Sequence, residues 1–555
     1  MSGPQPVANE SKPGQVWRPL AADTVAPALA ACESIQPRSP RWARVCCYLA
    51  VFLSFCANAF TLDRYPFPNV DEPFFYYPAI RALHGQGLNY NCRSDVPYGD
   101  SVWAYHAPFF PRVLLVSFWL LGENQFACRF PQYCAAHLAL LLLCTFLLRR
   151  GLFRSGLILA LVWIGDYSHY RVLFGRMEGV CLLLLAGAFV ALVQATVKRS
   201  YSAAVLAGFL LGASVGFHPS TAFFALSACF LVPALGKGGG LARFICLGAG
   251  GLMAVALILA CWMPSPASAL EQFRWGLRYG AEINTQSLWA VLMSNRVMFK
   301  AWFLGLSSFT VLVLIPLGTA VALKGGFAAQ DHLQRTVFFI AAAFAVSALL
   351  GILVLVGSAF KTYYIVCFSV WPIIALLVYL ESARSRKTVQ HALLAVGAAL
   401  CACWLPGLRY NAYHVRESLT NYHLLDPTRV AGRLAGVVPK SADATGSPEL
   451  FFIASKAGLN FIPLPWYSKV IAVPPGTYLL LSEYDWKHGR APQALVDPCT
   501  PAARSLLFEA NLAPGTALRW QNYYVFGPLY SLRGMTRHPS LPSSRDPRLL
   551  EKPVP

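Results

Sequence analysis

Across 555 residues, 56% of the side chains are hydrophobic and only 13% are charged, against about 25% charged in soluble domains. With a mean hydropathy of +0.49, the chain does not have water as its main solvent, which excludes an ordinary soluble enzyme. The formal net charge of +20 would suit a polyanion, but Lys and Arg also gather in cytoplasmic loops of membrane proteins for insertion reasons, so nucleic acid is set aside as a partner.

Residues 1–41 are polar and rich in Pro and Ala, the composition of a disordered tail, and the first apolar run follows them, so no cleavable signal peptide is expected. Arg38, Arg41 and Arg44 stand immediately before that run, which places the N-terminus in the cytoplasm. Later basic clusters, Arg149-Arg150-Arg154, Lys198-Arg199, Lys237 with Arg243, Lys324 to Arg335 and Arg384-Arg386-Lys387, fall in alternate connections. Apolar stretches near the roughly 20 residues needed to cross a bilayer predict about eleven spans, near 43–61, 128–148, 156–173, 179–197, 201–217, 219–235, 241–262, 301–323, 336–358, 362–381 and 388–406. An odd number of spans leaves the C-terminus outside. Phe109 to Leu121 is apolar but short, bounded by Pro111 and Gly122-Glu123-Asn124; it either lies on the outer interface or crosses, in which case another segment is re-entrant.

The membrane portion is therefore 42–406, with an outer loop over 62–127. From 407 to 535 charge and turn residues return, with β-prone runs at Leu450 to Ile453, Val470 to Val473 and Tyr478 to Leu481, which predicts a small external α/β domain. Residues 536–555 are Pro-, Ser- and Arg-rich and read as a disordered tail. Of the 16 cysteines, Cys46, Cys47, Cys56, Cys144, Cys181 and Cys401 lie in apolar runs as small packing residues, while Cys92, Cys128 and Cys499 on the external side allow one disulfide but show no metal spacing.

The stretch Asn69-Val70-Asp71-Glu72-Pro73-Phe74-Phe75-Tyr76-Tyr77-Pro78-Ala79 opens the outer loop and puts two acids where the membrane surface lies. Adjacent side chains do not share a helix face, so Asp71 and Glu72 can address different targets; the plain alternative is a solvated acidic turn. Tyr76 and Tyr77 either anchor the loop at the interface or stack on a sugar. Downstream come Tyr105-His106-Ala107-Pro108-Phe109-Phe110, Gly122-Glu123-Asn124-Gln125-Phe126-Ala127-Cys128-Arg129, Gly175-Arg176-Met177-Glu178 and Lys361-Thr362-Tyr363-Tyr364, leading to Trp371-Pro372.

In their order and outer-side placement these elements, spread over roughly 43 to 380, resemble the GT-C superfamily of polyprenyl-phosphate-sugar-dependent glycosyltransferases, in particular the protein O-mannosyltransferases and the lipid A aminoarabinose transferases. The resemblance implies an α-helical polytopic membrane protein of GT-C type, with a polyprenyl-phosphate sugar as donor and an extracytoplasmic lipid, glycan or protein hydroxyl as acceptor. It implies that Asp71 is the general base of an inverting transfer and that a second acid, here Glu178 where relatives often carry Asp, orients the acceptor or binds metal.

A leaving phosphate needs cations, best supplied by guanidinium forks or by a Lys point charge. Outer-side candidates are Arg64, Arg81, Arg112, Arg274, Arg278 and Lys361, with Tyr364 beside Lys361. Arg274 and Arg278 stand at i and i+4 and so present on one helical face, although general attraction to a membrane surface is an equal explanation. Lys361 with its tyrosines is open to the reading of a snorkelling lysine; Arg176 with Glu178 to that of a helix-end ion pair; His106, a candidate acceptor or phosphate contact, to a structural one; and His218-Pro219 to a turn. The site residues are thus Asp71, Glu72 and Glu178 for catalysis, with Tyr76, Tyr77, His106 and Arg176 for acceptor or sugar, and with no metal set, though a divalent cation at the phosphate stays open.

A secondary transporter or flippase of a lipid-linked substrate is the rival class, and it calls for midplane ionisable residues and inverted repeats. A non-catalytic scaffold would be indifferent to Asp71→Asn. The absence of Asn-X-Ser/Thr in the predicted external segments favours a bacterial inner membrane over the endoplasmic reticulum.

Overall fold

The computed structural model describes residues 39–65, 72–90, 97–99, 101–104, 108–235, 239–263, 265–283, 332–356, 365–382, 405, 407–420, 422, 426–463, 476–482, 505–508 and 523–526. Helix α1 spans Arg41–Ala59, and α2, Pro73–Leu83, follows the outer turn with Pro at its first position, where no N–H is needed. Helix α3, Phe109–Leu121, has 13 residues, about 20 Å at 1.5 Å per residue, short of the roughly 30 Å hydrocarbon core. It packs on α2 and on α4, Gln125–Arg149, which begins where the Asn124 side chain accepts a hydrogen bond from the N–H of Ala127 at 2.9 Å.

The stretch expected as one span over 156–173 is two helices, α5 at Phe153–Gly165 and the short α6 at Tyr167–Arg171. The chain breaks at Asp166 because a crossing helix, α15 at 407–420, takes the backbone there: the Asn411 amide donates to the carbonyls of Ile164 at 2.7 Å and Asp166 at 3.0 Å. A Cβ on Gly407 would lie 1.8 Å from the Gly165 oxygen, so only glycine permits the crossing.

Helices α7 (Glu178–Val197), α8 (Tyr201–Phe217), α9 (Ala222–Leu235) and α10 (Gly240–Cys261) match the predicted spans closely, with a 3-10 turn at Pro219–Thr221 before α9. Helices α8 and α10 meet backbone to backbone; a Cβ on Gly208 would lie 1.9 Å from the Leu247 oxygen, and one on Gly250 would lie 2.0 Å from that of Val205. Such close approach is the usual way membrane helices gain contact without a hydrophobic driving force. Helix α11 is Pro266–Ile283, α12 is His332–Val356, and the run expected over 362–381 appears as α13, Ile365–Phe368, and α14, Val370–Ser382. Trp371, fully buried, sits 4.8 Å from the Phe344 ring and 5.6 Å from that of Phe189, tying α14 to α12 and α7. The spans expected at 301–323 and 388–406 lie outside the described residues apart from Leu405. Among the described residues, α1, α4, α7 and α10 are long and apolar enough to cross a membrane, and shorter apolar helices accompany them, so the chain is a multi-pass membrane protein.

After α15 come α16 (Pro427–Val437), β1 (Asp443–Gly446), α17 (Phe451–Lys456), β2 (Asn460–Pro463), β3 (Tyr478–Ser482), β4 (Ser505–Phe508) and β5 (Tyr523–Phe526). The strands form one five-stranded sheet in the order β2-β1-β3-β5-β4, parallel between β1 and both β2 and β3, antiparallel at β3-β5 and β4-β5. The β-prone run at Leu450 to Ile453 is not a strand: it is a 3-10 turn, Pro448–Leu450, leading into α17. Leu450, Phe451, Ile453 and Ala454 are buried at helical spacing, and that periodicity overrides the strand preference of Phe and Ile. Val470 to Val473 lies outside the described residues; the strand at Tyr478 forms as expected.

Candidate functional site

The carboxylate of Glu72, fully buried, stands at the head of α2. Four donors converge on it: Arg129 through Nε at 3.0 Å and through a terminal nitrogen at 3.3 Å, Gln125 Nε2 at 3.1 Å, and the backbone N–H of Gly175 at 2.5 Å. Gln125 and Arg129 stand one turn apart on α4, so they present on the same face, and Arg129 also donates to the Leu62 carbonyl at 3.2 Å. Glycine fits closely at 175, since a Cβ there would lie 2.3 Å from Cys128 Sγ and 3.3 Å from a Glu72 oxygen. Cys128 is a buried free thiol packed in this clamp; Cys92 and Cys499, its candidate disulfide partners, lie outside the described residues.

The connection that supplies Gly175 also supplies Arg176, whose Nε and one terminal nitrogen donate to a single Glu178 oxygen at 3.0 and 2.8 Å, both side chains being buried. The other Glu178 oxygen, Oε2, has no hydrogen-bond partner among the described residues. Arg176 also lies 5.7 Å from the centre of the Phe75 ring on α2. The structure thus brings Glu72, Arg176 and Glu178 together around one loop.

The tyrosines of α2 face the C-terminal domain. The Tyr76 hydroxyl donates to the Pro448 carbonyl at 2.9 Å, and its ring lies 4.6 Å from that of Phe452; Tyr77 meets Phe451 at 5.6 Å and Tyr90 at 5.4 Å. Burial pushes the Tyr76 phenol well above its usual range, so it stays a neutral donor. Arg81 donates to Asn89 at 2.7 Å. Arg274 is exposed on α11; Arg278 belongs to the same helix. Gln272 of that helix, fully buried, accepts from the Ala104 N–H and donates to the carbonyls of Pro97 at 2.8 Å and Val102 at 3.0 Å, pinning the loop that runs into His106. His218 caps the 3-10 turn through Ser220, the turn reading of that position. Asp71, His106, Lys361 and Tyr364 lie outside the described residues. Among the described residues no group of three or more His, Cys, Asp or Glu side chains is arranged to hold a metal ion.

A cleft of about 490 Å³ opens between the two parts of the molecule, lined by Asp63, Arg64 and Glu123 to Phe126 on the membrane side and by Asp426 to Thr428, Glu449 and Lys456 on the other. Arg64 crosses one edge of it, 3.1 Å from Asp63, 3.7 Å from Asp426 and 3.7 Å over the Tyr422 ring, and it donates to the Tyr422 carbonyl. Gln125 joins this cleft to the Glu72 clamp.

The fold is similar to that of ArnT from Cupriavidus metallidurans. Its crystal structures bound to undecaprenyl phosphate and in the apo state each give a TM-score of 0.51, at 12% and 13% identity, covering 87% and 86% of this chain and 98% and 97% of those. The chain has an ArnT-like fold, in line with the resemblance drawn from the sequence. The apo oligosaccharyltransferase of Archaeoglobus fulgidus is also similar, with a TM-score of 0.44 and 11% identity over 77% of this chain and 65% of that one. No protein-family model matches the chain, and no curated protein matches it by sequence.

Arg129 and Gln125 are what sequence reasoning missed in this site. Their i, i+4 spacing just after an Asn cap was the available signal, but nothing in the sequence said which of the two acids they would hold.

Proposed function

We propose that the chain is an inverting glycosyltransferase that moves a hexosyl or pentosyl group from a polyprenyl-phosphate donor to a hydroxyl-bearing acceptor at the extracytoplasmic face. The observation that carries this reading is the Glu72 clamp: both oxygens of Glu72 are engaged by protein donors, so the two adjacent acids divide their work. Glu72 is a positioning residue, and Asp71, joined to it by one peptide bond and so about 3.8 Å away at Cα, is left as the base.

In the reaction, the acceptor oxygen attacks the anomeric carbon as Asp71 takes its proton, and the bond from that carbon to the phosphate oxygen breaks with its electron pair leaving on the phosphate. Lys361, Tyr364, Arg274, Arg278 and Arg81 are the candidates to hold that phosphate. The unengaged Glu178 oxygen would accept from an acceptor or sugar hydroxyl, with Arg176 fixing its orientation; His106 and Tyr77 remain candidate contacts, while Tyr76 serves as the clasp to the C-terminal domain. The cleft is within the usual size of small-molecule sites, about 300–1,000 Å³, and would admit the acceptor. The ligand bound in the ArnT crystal structure, undecaprenyl phosphate, supports the donor class. The membrane is proposed to be a bacterial inner membrane, with the N-terminus cytoplasmic and the C-terminus periplasmic.

The test is a transfer assay with purified protein and a panel of radiolabelled polyprenyl-phosphate sugars, comparing wild type with Asp71→Asn, with and without EDTA. A fall in turnover of at least about 100-fold is expected of a lost general base. Equal turnover in the two proteins would refute the assignment, and a loss with EDTA alone would place a divalent cation at the phosphate.

A further inference from the structure

A second groove, of about 500 Å³, lies at the opposite end of the bundle. Its walls are Ser39, Arg41, Arg44, Val45 and Tyr48 from the start of α1, with Leu148 and Arg149 from the end of α4. Helix α1 has 19 residues and α4 has 25, so about 28 Å or more of helix separates this groove from the Glu72 clamp.

Arg41, Arg44 and Arg149 all line the groove, and none of the three has an ion-pair or hydrogen-bond partner among the described residues. Arg41, Arg44, Val45 and Tyr48 stand at i, i+3, i+4 and i+7, so they form one ridge along α1, cationic at its end and apolar below. The Ser39 hydroxyl donates to the Leu148 carbonyl, and Thr145 to the Tyr48 hydroxyl at 3.4 Å, which joins α1 to α4 along the groove. The first turn of α1 has no acidic residue and no side-chain cap, so the positive end of the helix dipole also faces this region. Glu381 accepts from the N–H of Arg154 at 3.2 Å and from the N–H and hydroxyl of Ser155 at 3.0 and 2.7 Å, closing the start of α5, and is not among the residues lining the groove. Trp42, 56% exposed beside the groove, is the kind of side chain that sits at headgroup level.

We propose that this groove binds the phosphate of an anionic phospholipid, with Arg41, Arg44 and Arg149 around the headgroup and Val45, Tyr48 and Leu148 against the first part of its acyl chains. Basic pockets between helices at a membrane edge suit such a headgroup, and the apolar floor distinguishes a lipid from a free anion. The site is independent of the proposed transfer chemistry.

The experiment titrates the full-length protein in detergent with dioctanoyl phosphatidylglycerol, dioctanoyl phosphatidylcholine or inorganic phosphate, reading binding by native mass spectrometry. Each basic residue near an anionic lipid surface contributes on the order of a fivefold gain in binding, so Arg44→Gln with Arg149→Gln should weaken phosphatidylglycerol about 25-fold. Arg41→Gln alone should weaken it about fivefold, and phosphatidylcholine should bind poorly throughout. Both substituted arginines of the double variant are exposed, and an unchanged melting curve checks its fold. Lys198→Gln with Arg199→Gln, basic residues outside the groove, should leave phosphatidylglycerol binding unchanged. Equal loss in that control, equal binding of the two lipids, or inorganic phosphate competing as well as phosphatidylglycerol would each overturn the proposal.

Discussion

Replacing Glu72 by Gln removes one charge from a pair in which both side chains are fully buried. The introduced amide can keep an oxygen toward the Gly175 N–H and Arg129 Nε, but its NH2 then opposes Gln125 Nε2 and the Arg129 terminal nitrogen, 3.1 and 3.3 Å from the present oxygen. Each buried polar group left without a partner costs about 1–3 kcal/mol, and breaking a buried ion pair from one side costs about 3–5 kcal/mol. At roughly 2 °C per kcal/mol in a large chain, the melting midpoint in detergent should fall on the order of 6–10 °C. The penalty belongs to the orphaned guanidinium, so adding Arg129→Met should restore much of it. Gln125, whose Oε1 has no partner among the described residues, can then turn its amide to accept from the new one. A coupling on the order of 2–3 kcal/mol is expected from the cycle of single and double variants. A wild-type midpoint for Glu72→Gln, or losses that simply add in the double variant, would refute the clamp.

Gly175→Ala should lower the melting midpoint by the equivalent of about 1–3 kcal/mol, the cost of overpacking, because its Cβ would lie 2.3 Å from Cys128 Sγ; Cys128→Ala in the same chain should recover part of it, and no recovery would argue against that contact. Burial pushes the His414 imidazole from 6.5 down to about 4, its Nδ1 meeting the Tyr65 hydroxyl and its ring stacked 4.1 Å from that of Tyr170. Between those two values the unfolded chain binds a proton that the folded one does not, so stability rises with pH across that window and is lost as pH falls through it. Melting midpoints measured from pH 7.5 to 4 should show a shallower acid slope for His414→Phe than for wild type, and parallel curves would refute the assignment.

Helix spans were legible in the sequence wherever hydropathy alone decides the outcome, as for α7, α8 and α10, because a bilayer offers the backbone no hydrogen-bond partners and so enforces a helix. The reading failed where a tertiary contact decides. Nothing in the run expected as one span over 156–173 announces that Asn411, some 240 residues on, will take the Ile164 and Asp166 carbonyls and split it. Phe451 and Phe452 read as strand by composition, yet they lie in a helix whose buried face is set by Leu450, Phe451, Ile453 and Ala454, and both rings meet Tyr76 of α2.

The acids show the same division most sharply. Sequence could say that Asp71 and Glu72 can address different targets, but not which is tied down, since the tie on Glu72 is made by Arg129 from another helix and by a backbone N–H that no side-chain pattern encodes. Once Arg129, Gln125 and Gly175 are seen around Glu72, the two acids cease to be equivalent: a carboxylate that accepts four hydrogen bonds has little capacity left for a substrate proton. Its remaining route to influence chemistry is through the backbone of its neighbour. The C-terminal domain then has a role at the site as well, because its helix at Phe451–Lys456 grips the tyrosines of the same helix α2 that Glu72 begins. Under the proposed function, loosening that grip should lower turnover before it weakens binding of the proposed donor.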